Sequence, residues 1–360
     1  MKKRISAIIA TVVSLAMLFS MTACGAAEEV ASAPVSETDE SAQAEEPEAP
    51  VASSSDEEYE IAIVVKVDGI AWFDDTKIGA EEFAKDHPNV NCYQIAPESA
   101  DSALQVALIE DCIAKGVDAI GIIPVDPEAL TSVIEKAREA GIVVVTHEGA
   151  ALAGTADYDM EAFDNEAFGA FYGENLAEAM GGKGKYVGMV GALSMQTHMT
   201  WYQAAVDYIT ENYPDMELVS EEPYEDDIDS TVAYEKAQEI MKTYPDLGGV
   251  LCMTVEGGGS FAKYLEETNN SEVKVVTLAI PSSNGSYIAD GWIAYGQCWR
   301  PADAAYVVAN ICYNILEGVE IKDGLDLEKE GYESITVKDG IIYGDAALRF
   351  TADNIGDYNF

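Results

Sequence analysis

Basic residues, histidines and cysteines are all scarce in this sequence of 360 residues. It has 20 Lys and Arg residues against 65 Asp and Glu residues, which gives a formal net charge of −45. Because such a surplus repels phosphate groups, it argues against binding to nucleic acid or to an anionic membrane surface through charge. The hydrophobic content of 48% is sufficient for substantial cores, and the length suits two domains.

Catalytic motifs are also missing. The histidines are His87, His147 and His198, and they form no His-Glu-x-x-His or similar metal spacing. No Gly-x-Ser-x-Gly nucleophile motif occurs. Glu148 and Glu256 would suit glycoside cleavage, but nothing in the sequence sets their separation. The sequence therefore predicts a protein without catalytic residues, metal or cofactor, and a glycosidase is the enzyme alternative.

The six cysteines divide into one near the N-terminus and five within apolar patterns. The five are Cys92, Cys112, Cys252, Cys298 and Cys312. An odd number cannot all pair internally, and no Cys-x-x-Cys occurs, so we expect buried thiols. One disulfide among them remains open at this stage.

The N-terminus has the pattern of an export signal. A basic start, Met1-Lys2-Lys3-Arg4, precedes an apolar stretch from Ile8 to Phe19 that is short for a permanent membrane span. The following Met21-Thr22-Ala23-Cys24 resembles a bacterial lipoprotein box. That resemblance implies a signal peptide over residues 1–23, cleavage before Cys24 and a lipid on its sulfur. An ordinary cleavage site near a cysteine is the alternative.

Residues 24–58 are predicted to be a disordered acidic tether. From Gly25 to Glu58 the chain has 11 acidic residues, no Lys or Arg, and many Ala, Ser and Pro residues. Such a segment cannot bury enough apolar surface to offset its chain entropy. We expect it to hold a folded module on the extracytoplasmic face of the cell membrane, with the lipid as the sole contact to the bilayer.

Beyond residue 58, short apolar runs alternate with helical patterns, which predicts an α/β fold with parallel sheets covered by helices. There are too many units for one open sheet, so two lobes are expected. The predicted strands are Ile61–Val67, Asn91–Ile95, Ala119–Ile123, Ile142–Thr146, Lys185–Gly191, Glu217–Ser220, Gly249–Met253, Lys274–Leu278 and Ile293–Cys298. The predicted helices are Asp75–Lys85, Ser102–Lys115, Pro127–Ala140, Glu166–Met180, Thr200–Tyr213, Ser230–Thr243, Ser260–Glu267 and Ala302–Leu316. Residues 335–343 are expected to form a hairpin with an Asp-Gly turn.

Polar and aromatic side chains follow most of the predicted strands. In open α/β folds ligands bind at the carboxyl edge of the sheet, where these turns meet. Carboxylates, Lys, Arg and aromatic rings together suit a hydroxylated ligand, because charged groups bond hydroxyls and rings cover C–H surface. The candidate binding residues are Lys66, Trp72, Phe73, His147, Glu148, His198, Thr254, Glu256, Pro281, Trp299 and Arg300.

Seven of these candidates also have a structural alternative. Trp72, Phe73 and Trp299 would equally suit a core, and Glu148 a solvated loop. The remaining alternatives are a structural role for His198, a helix cap for Glu256 and an ion pair for Arg300.

Several motifs resemble the periplasmic binding protein type I family, in the branch of sugar-binding lipoproteins for ribose, rhamnose and autoinducer-2. They are Val117-Asp118-Ala119-Ile120-Gly121-Ile122-Ile123-Pro124, Ala140-Gly141-Ile142-Val143-Val144-Val145-Thr146-His147-Glu148, Asp159-Met160-Glu161-Ala162-Phe163-Asp164-Asn165, Tyr244-Pro245-Asp246-Leu247-Gly248-Gly249-Val250 and Trp299-Arg300-Pro301-Ala302-Asp303-Ala304.

The resemblance implies two doubly wound parallel-sheet lobes joined by a three-strand hinge. Lobe 1 would hold residues 59–160 and about 299–322, and lobe 2 would hold residues 161–298 and about 323–360. It also implies that Trp72 and Phe73 stack on ligand, that Glu148 and Lys66 bind hydroxyls, and that His198, Thr254 and Glu256 contact ligand from lobe 2.

The resemblance implies a monomeric, lipid-anchored receptor that delivers a sugar to an ABC permease. The sequence differs from the autoinducer-2 pattern at Thr197-His198 and Met253-Thr254-Val255, so we expect a neutral or mildly modified monosaccharide. A sensor that presents a sugar or autoinducer-2 to a membrane receptor is the alternative. A repressor of similar fold is excluded, since it needs a basic DNA-binding domain ahead of the module.

Overall fold

The computed structural model describes residues 58–360, so the predicted signal peptide, the lipidation site at Cys24 and all but the last residue of the predicted tether lie outside the described residues. Two seven-stranded sheets organise this part of the chain. The first contains β1 (Tyr59–Val64), β2 (Val90–Ile95), β3 (Ala119–Ile122), β4 (Val143–His147), β5 (Tyr158–Glu161), β12 (Thr336–Lys338) and β13 (Ile341–Tyr343). The second contains β6 (Gly184–Val190), β7 (Met216–Leu218), β8 (Tyr224–Glu225), β9 (Leu247–Cys252), β10 (Lys274–Leu278), β11 (Tyr295–Cys298) and β14 (Leu348–Phe350).

Nine α-helices accompany these strands in residues 58–360. They are α1 (Ala71–Asp86), α2 (Ser102–Lys115), α3 (Pro127–Glu139), α4 (Asn165–Met180), α5 (Gln196–Asn212), α6 (Ser230–Thr243), α7 (Val255–Thr268), α8 (Pro281–Ala289) and α9 (Pro301–Leu316). Helices α1 and α9 pack together on the first sheet, while α4 and α5 pack together on the second. The predicted α/β fold class is therefore confirmed, and we name the sheets with their helices lobe 1 and lobe 2.

Strand order explains why the predicted loops converge. In the first sheet the order is β12-β13-β5-β4-β3-β1-β2, and the pairs among β1 to β5 are all parallel. In the second sheet β6, β9, β10 and β11 are also parallel neighbours. Since parallel strands end at the same edge, the turns after β1, β4, β6, β9 and β10 gather at two facing edges.

The chain passes between the sheets three times. It leaves β5 for α4, returns from β11 to α9, and crosses again from β13 to β14. The first and third crossings lie side by side, because the Gly344 and Ala346 N–H groups donate to the carbonyls of Glu161 and Ala162. The second crossing is tied to the third where β11 pairs with β14, antiparallel.

The C-terminal segment requires a correction. The sequence placed residues from about 323 onward in lobe 2, but β13 pairs with β5 in parallel and so brings the hairpin into the first sheet. Its Asp-Gly turn forms as predicted, with Asp339 at φ 53° and Gly340 at φ 83°. Only β14, beyond the third crossing, joins the second sheet. Local sequence gives a hairpin's turn but not which sheet edge it completes.

Three helices begin four or five residues earlier than predicted, and all three carry site residues. Helix α1 begins at Ala71 instead of Asp75, α5 at Gln196 instead of Thr200, and α7 at Val255 instead of Ser260. Helix α7 includes the run Gly257–Gly259. In the structure a Cβ on Gly258 would lie 2.1 Å from the Thr277 hydroxyl, so glycine allows α7 to lie close to β10.

The cores are continuous, and the thiols are part of them. One apolar cluster lies on both sheets and a smaller one lies between the first sheet and helices α2 and α3. All five cysteines of residues 58–360 are free and buried, as the sequence predicted, and no disulfide joins them. No helix in this part of the chain has the length and apolar character needed to span a bilayer.

Candidate ligand-binding site

One cavity lies where the facing sheet edges meet. Its empty space is about 360 Å³ including the open mouth, but water-sized spheres can be centred in only about 30 Å³ of it, so the lobes are close together around a small cavity. The turn after β1 and helix α1 line one side, helices α5 and α7 line the other, and Trp299 lies at the second crossing. The lining residues are Lys66, Ile70, Trp72, Phe73, Glu148, His198, Trp201, Ile228, Thr254, Val255, Glu256, Leu278 and Trp299.

An ion pair forms the polar centre of the lobe 1 wall. Lys66 Nζ donates to Glu148 Oε2 at 2.5 Å, and both side chains are only 5% exposed. Burial is the largest effect and opposes ionisation of the carboxyl group. The charge and hydrogen bond of Lys66, together with the nearby His147 and His198, outweigh it, so the pKa of Glu148 is lowered. Each partner compensates the other's buried charge, so the pair adds no net charge to the cavity.

The backbone of Glu148 is held in an unusual conformation. Its φ is 58°, in the left-handed region that few residues other than glycine adopt. Next to it, the Gly149 N–H and the Thr146 hydroxyl both donate to Asp159 Oδ1, at 3.0 and 2.6 Å. The Thr197 hydroxyl of α5 donates to the Glu148 carbonyl at 2.9 Å, which joins the two lobes. Three elements therefore hold Glu148 in place, and such strain is typical of functional sites.

Lobe 2 contributes one donor and one acid to the cavity. The Gly191 N–H donates to His198 Nδ1 at 3.2 Å, so the neutral ring carries its proton on Nε2. Burial, together with the charge of Lys66, lowers the pKa of His198 to about 3, and the ring is neutral at ordinary pH. Glu256 has no ion-pair partner among residues 58–360, and burial raises the pKa of its carboxyl group to about 7.

Thr254 lines the cavity, but its hydroxyl is already hydrogen-bonded within the protein. Its hydroxyl donates to Asp226 Oδ2 and accepts from the Gly257 N–H at 2.9 Å. Asp226 also accepts from the Ile228 N–H at 2.9 Å, and burial raises the pKa of this acid to about 7. The effect is to fix the loop that places Ile228 on the cavity wall.

Aromatic rings connect the two lobes. Trp72 of α1 meets Trp299 edge to face, with centroids 4.7 Å apart at 77°. Trp299 in turn lies 5.8 Å from Trp201 of α5 at 70°. Phe163 at the first crossing stacks on Phe168 of α4 at 3.9 Å. Since edge-to-face and stacked pairs stabilise aromatic clusters, these rings hold the crossings and both walls in one arrangement.

Three predicted residues lie outside the cavity lining. His147 accepts from the Trp299 indole N–H at 3.1 Å through Nε2, and its Nδ1 bonds the Met160 carbonyl at 2.8 Å. It therefore orients Trp299 from behind, and burial lowers its pKa. Both ring nitrogens of His147 are thus occupied within the protein, although its Nε2 lies 4.0 Å from Glu148 Oε1.

Arg300 and Pro281 are the other two predicted binding residues that lie outside the cavity lining. Arg300 Nη1 donates to Asp303 at 3.2 Å along α9, and its Nε lies 4.0 Å from Asp75 of α1, so its role is the structural ion pair. Pro281 is the first residue of α8, and Leu278 at the end of β10 lines the cavity in its place.

The lining includes five residues that were not among the predicted binding residues. The place of Trp201 in the lining was predictable from the sequence, because it lies three residues after His198 and so on the same face of α5. Ile70, Val255 and Leu278 follow strands but are apolar, and the prediction considered polar groups and rings. Ile228 has φ 53°, a conformation that no pattern predicts for a β-branched residue.

Two further acids lie together at the first crossing. Asp159 and Glu161 of β5 are 0% and 2% exposed, and Asp159 Oδ2 and Glu161 Oε1 have no hydrogen-bond partner. Burial raises the pKa of Asp159 to about 6, and burial with the charge of Asp159 raises that of Glu161 further. Burial and the proximity of a second acid therefore oppose ionisation of this pair. Within residues 58–360 no three acidic, His or Cys side chains are grouped as metal ligands.

Comparison with known proteins gives matches over most of the described residues. The family model described as a periplasmic binding protein domain matches residues 61–320. The D-ribose/D-allose-binding protein of Pseudomonas aeruginosa is 33% identical over 99 residues, which cover 26% of this chain and 30% of that protein. Ribose import binding protein RbsB of Salmonella typhimurium is 23% identical, with 74% of this chain and 89% of that protein covered. The alignments span 30–63% of the lengths of the first three curated relatives.

Solved structures agree with this fold. LsrB from Clostridium saccharobutylicum in complex with AI-2 has a TM-score of 0.76 at 19% identity, covering 84% of this chain and 100% of that one. An ABC transporter solute-binding protein from Clostridium phytofermentas with bound L-rhamnose has a TM-score of 0.77 at 21% identity, covering 84% and 98%. At these identities the likeness establishes the fold alone.

The buried acids predict a dependence of stability on pH. The pKa of Asp226 is raised from 3.8 to about 7, so the folded state holds a proton that the unfolded chain releases near pH 4. Its stabilising contribution is complete below pH 4 and is lost as the pH rises through 7. We expect Asp226→Asn to reduce the loss of unfolding free energy between pH 5 and 7.5 by about 2 kcal/mol, measured by urea unfolding.

Asp111→Asn, at an exposed position of α2, is the matched control and should leave the pH dependence unchanged. An Asp226→Asn protein with the same pH dependence as the parent would contradict the protonated state of Asp226.

Proposed function

The chain belongs to the family of periplasmic binding protein domains, and on this premise we propose that it captures a monosaccharide or sugar-like ligand between its lobes for an ABC importer. The observation that supports this most is the joint lining of one cavity. Trp72 and Glu148 come from lobe 1, His198 and Glu256 from lobe 2, and Trp299 from a crossing. The curated relatives are ribose-, xylitol- and xylose-binding proteins, which supports a small polyol as ligand.

Capture works through closure. A ligand that contacts both walls is bound fully only when the lobes approach, so it shifts the equilibrium toward the closed arrangement. The rings of Trp72 and Phe73 exclude water and cover C–H surface, while Lys66, Glu148 and Glu256 bond hydroxyls. Such charged hydrogen bonds strengthen in a dry site. The binding role requires no catalytic group.

A screen for ligands tests the proposal, and Trp72 tests its geometry. A thermal-shift screen of pentoses, hexoses and deoxysugars against the full chain should give at least one ligand that raises the unfolding temperature. For that ligand, Trp72→Leu should weaken binding about 10-fold or more, since stacking contributes roughly 0.5–1.5 kcal/mol beyond the lost area. Isothermal titration measures the change.

Trp292→Ala is the control, because Trp292 lies outside the cavity lining and its loss should leave affinity unchanged. Unfolding curves of both variants exclude a folding defect. Unchanged affinity in a folded Trp72→Leu protein would exclude ring stacking at this position, and a screen without any ligand would contradict sugar capture itself.

Thr197 is proposed to hold the lobes together in the closed state. Its hydroxyl is the donor to the Glu148 carbonyl across the cleft. We expect Thr197→Val to weaken ligand binding about 2- to 10-fold, since one hydrogen bond contributes roughly 0.5–1.5 kcal/mol. Stopped-flow measurement should show that the weaker binding results from a higher dissociation rate of the ligand.

Thr200→Val is a matched control, because that hydroxyl bonds the Gln196 carbonyl of its own helix. A change confined to the association rate in Thr197→Val, or equal effects of the two variants, would contradict the role in closure.

We propose further that a lipid on Cys24 anchors the chain to the extracytoplasmic face of the cell membrane. The motif Met21-Thr22-Ala23-Cys24 and the acidic segment that follows support this. In membrane fractionation, Cys24→Ser should move the protein from the membrane to the soluble fraction, whereas Ser36→Ala in the same segment should not. A Cys24→Ser protein that stays in the membrane fraction would exclude this anchor.

A further inference from the structure

The cavity lining offers few polar groups. Lobe 1 contributes the ion pair Lys66–Glu148, and lobe 2 contributes His198 and Glu256. The Thr254 hydroxyl is committed to Asp226 and the Gly257 N–H. The lining contains no Asn, Gln, Arg, Ser or Tyr side chain among the described residues. A ligand with hydroxyls in every direction would leave some of them without partners.

Two of the three tryptophans in the lining add no donors. The Trp299 indole N–H donates to His147, and that of Trp201 donates to Asn165 at 2.7 Å. These rings therefore offer only carbon surface to a ligand. Lobe 2 contributes most of the aliphatic lining, Ile228, Val255 and Leu278, and lobe 1 contributes Ile70.

The backbone conformation of Ile228 indicates that an apolar side chain at this point of the wall has a functional role. Its φ of 53° is a genuine outlier for a β-branched side chain, and Asp227 before it has φ 55°. The Asp226 carboxyl holds this loop by accepting the Ile228 N–H. Backbone strain that the surrounding structure maintains is concentrated at functional positions. Here its result is an isoleucine, 9% exposed, on the cavity wall.

We propose that the ligand is a deoxygenated sugar, with a methyl group or deoxy position packed against the aliphatic wall of Ile70, Ile228, Val255 and Leu278. Its hydroxylated edge faces Lys66–Glu148 and Glu256. This inference rests on the proposed sugar capture and narrows its ligand class. A hydroxyl on the aliphatic side would be buried without a partner, and a methyl group there gains from burial.

Pairs of sugars that differ only in one hydroxyl test the inference. The pairs are L-rhamnose with L-mannose, D-fucose with D-galactose, and 5-deoxy-D-ribose with D-ribose, each titrated into the full chain by calorimetry. In the pair that binds best, the deoxy member should bind about 10-fold tighter or more. Equal affinity, or tighter binding of the hydroxylated member, would overturn this inference and leave sugar capture intact. Failure of all six sugars and of the wider screen would overturn both.

Ile228→Asn gives a second measurement. Asn tolerates the left-handed backbone and brings an amide to the wall, so the variant should fold and should lose most of its preference for the deoxy member. Asp227→Asn is the control, because it is exposed in the same loop with the same backbone conformation. A preference that persists in a folded Ile228→Asn protein would show that Ile228 does not set it.

Discussion

The ligand-binding site depends on how Glu148 is held. Its carboxylate pairs with Lys66, its carbonyl accepts from Thr197 of the other lobe, and its left-handed backbone is stabilised by Asp159 beneath the next residue. Removing Lys66 would leave a buried carboxylate unpaired, which is the most costly change at this kind of pair. Glu148 therefore lies next to the cavity, the hinge strand and the second lobe at once. Its side chain is available to a ligand, and its carbonyl accepts the hydrogen bond that joins the lobes, so ligand binding and closure act on the same residue.

Around this centre, the polar network and the aromatic cluster have separate roles. His147 and Asn165 take up the indole N–H groups of Trp299 and Trp201, so these rings keep fixed orientations. Asp226 and Thr254 fix the strained loop before α6. Most buried polar groups near the cavity therefore hold other residues in place and do not face the ligand space. The hydrogen bonds of His147, Asn165, Asp226 and Thr254 lie within the protein, whereas Asp159 Oδ2 and Glu161 Oε1 are buried without a partner.

Sequence reasoning found the cavity but not all of its wall. The strand ends with Lys66, Glu148 and Glu256 were predictable, because parallel strands end at one edge whatever their neighbours are. His147 and Arg300 lie outside the lining, although each adjoins a lining residue. The ring of His147 bonds Trp299 and the Met160 carbonyl, and Arg300 pairs with Asp303. Ile228 was not predictable, since its position results from a backbone conformation that only its contact with Asp226 stabilises.

The sequence by itself determined the alternation of strands and helices, the hairpin turn and the family. These features depend on local periodicity and on residues within one turn of each other. Tertiary structure decided which sheet the hairpin completes, which side of a strand end faces the cavity, and which polar groups remain available to a ligand. Those outcomes depend on contacts between residues far apart in the chain, whose energies are comparable for several arrangements until the whole core is packed.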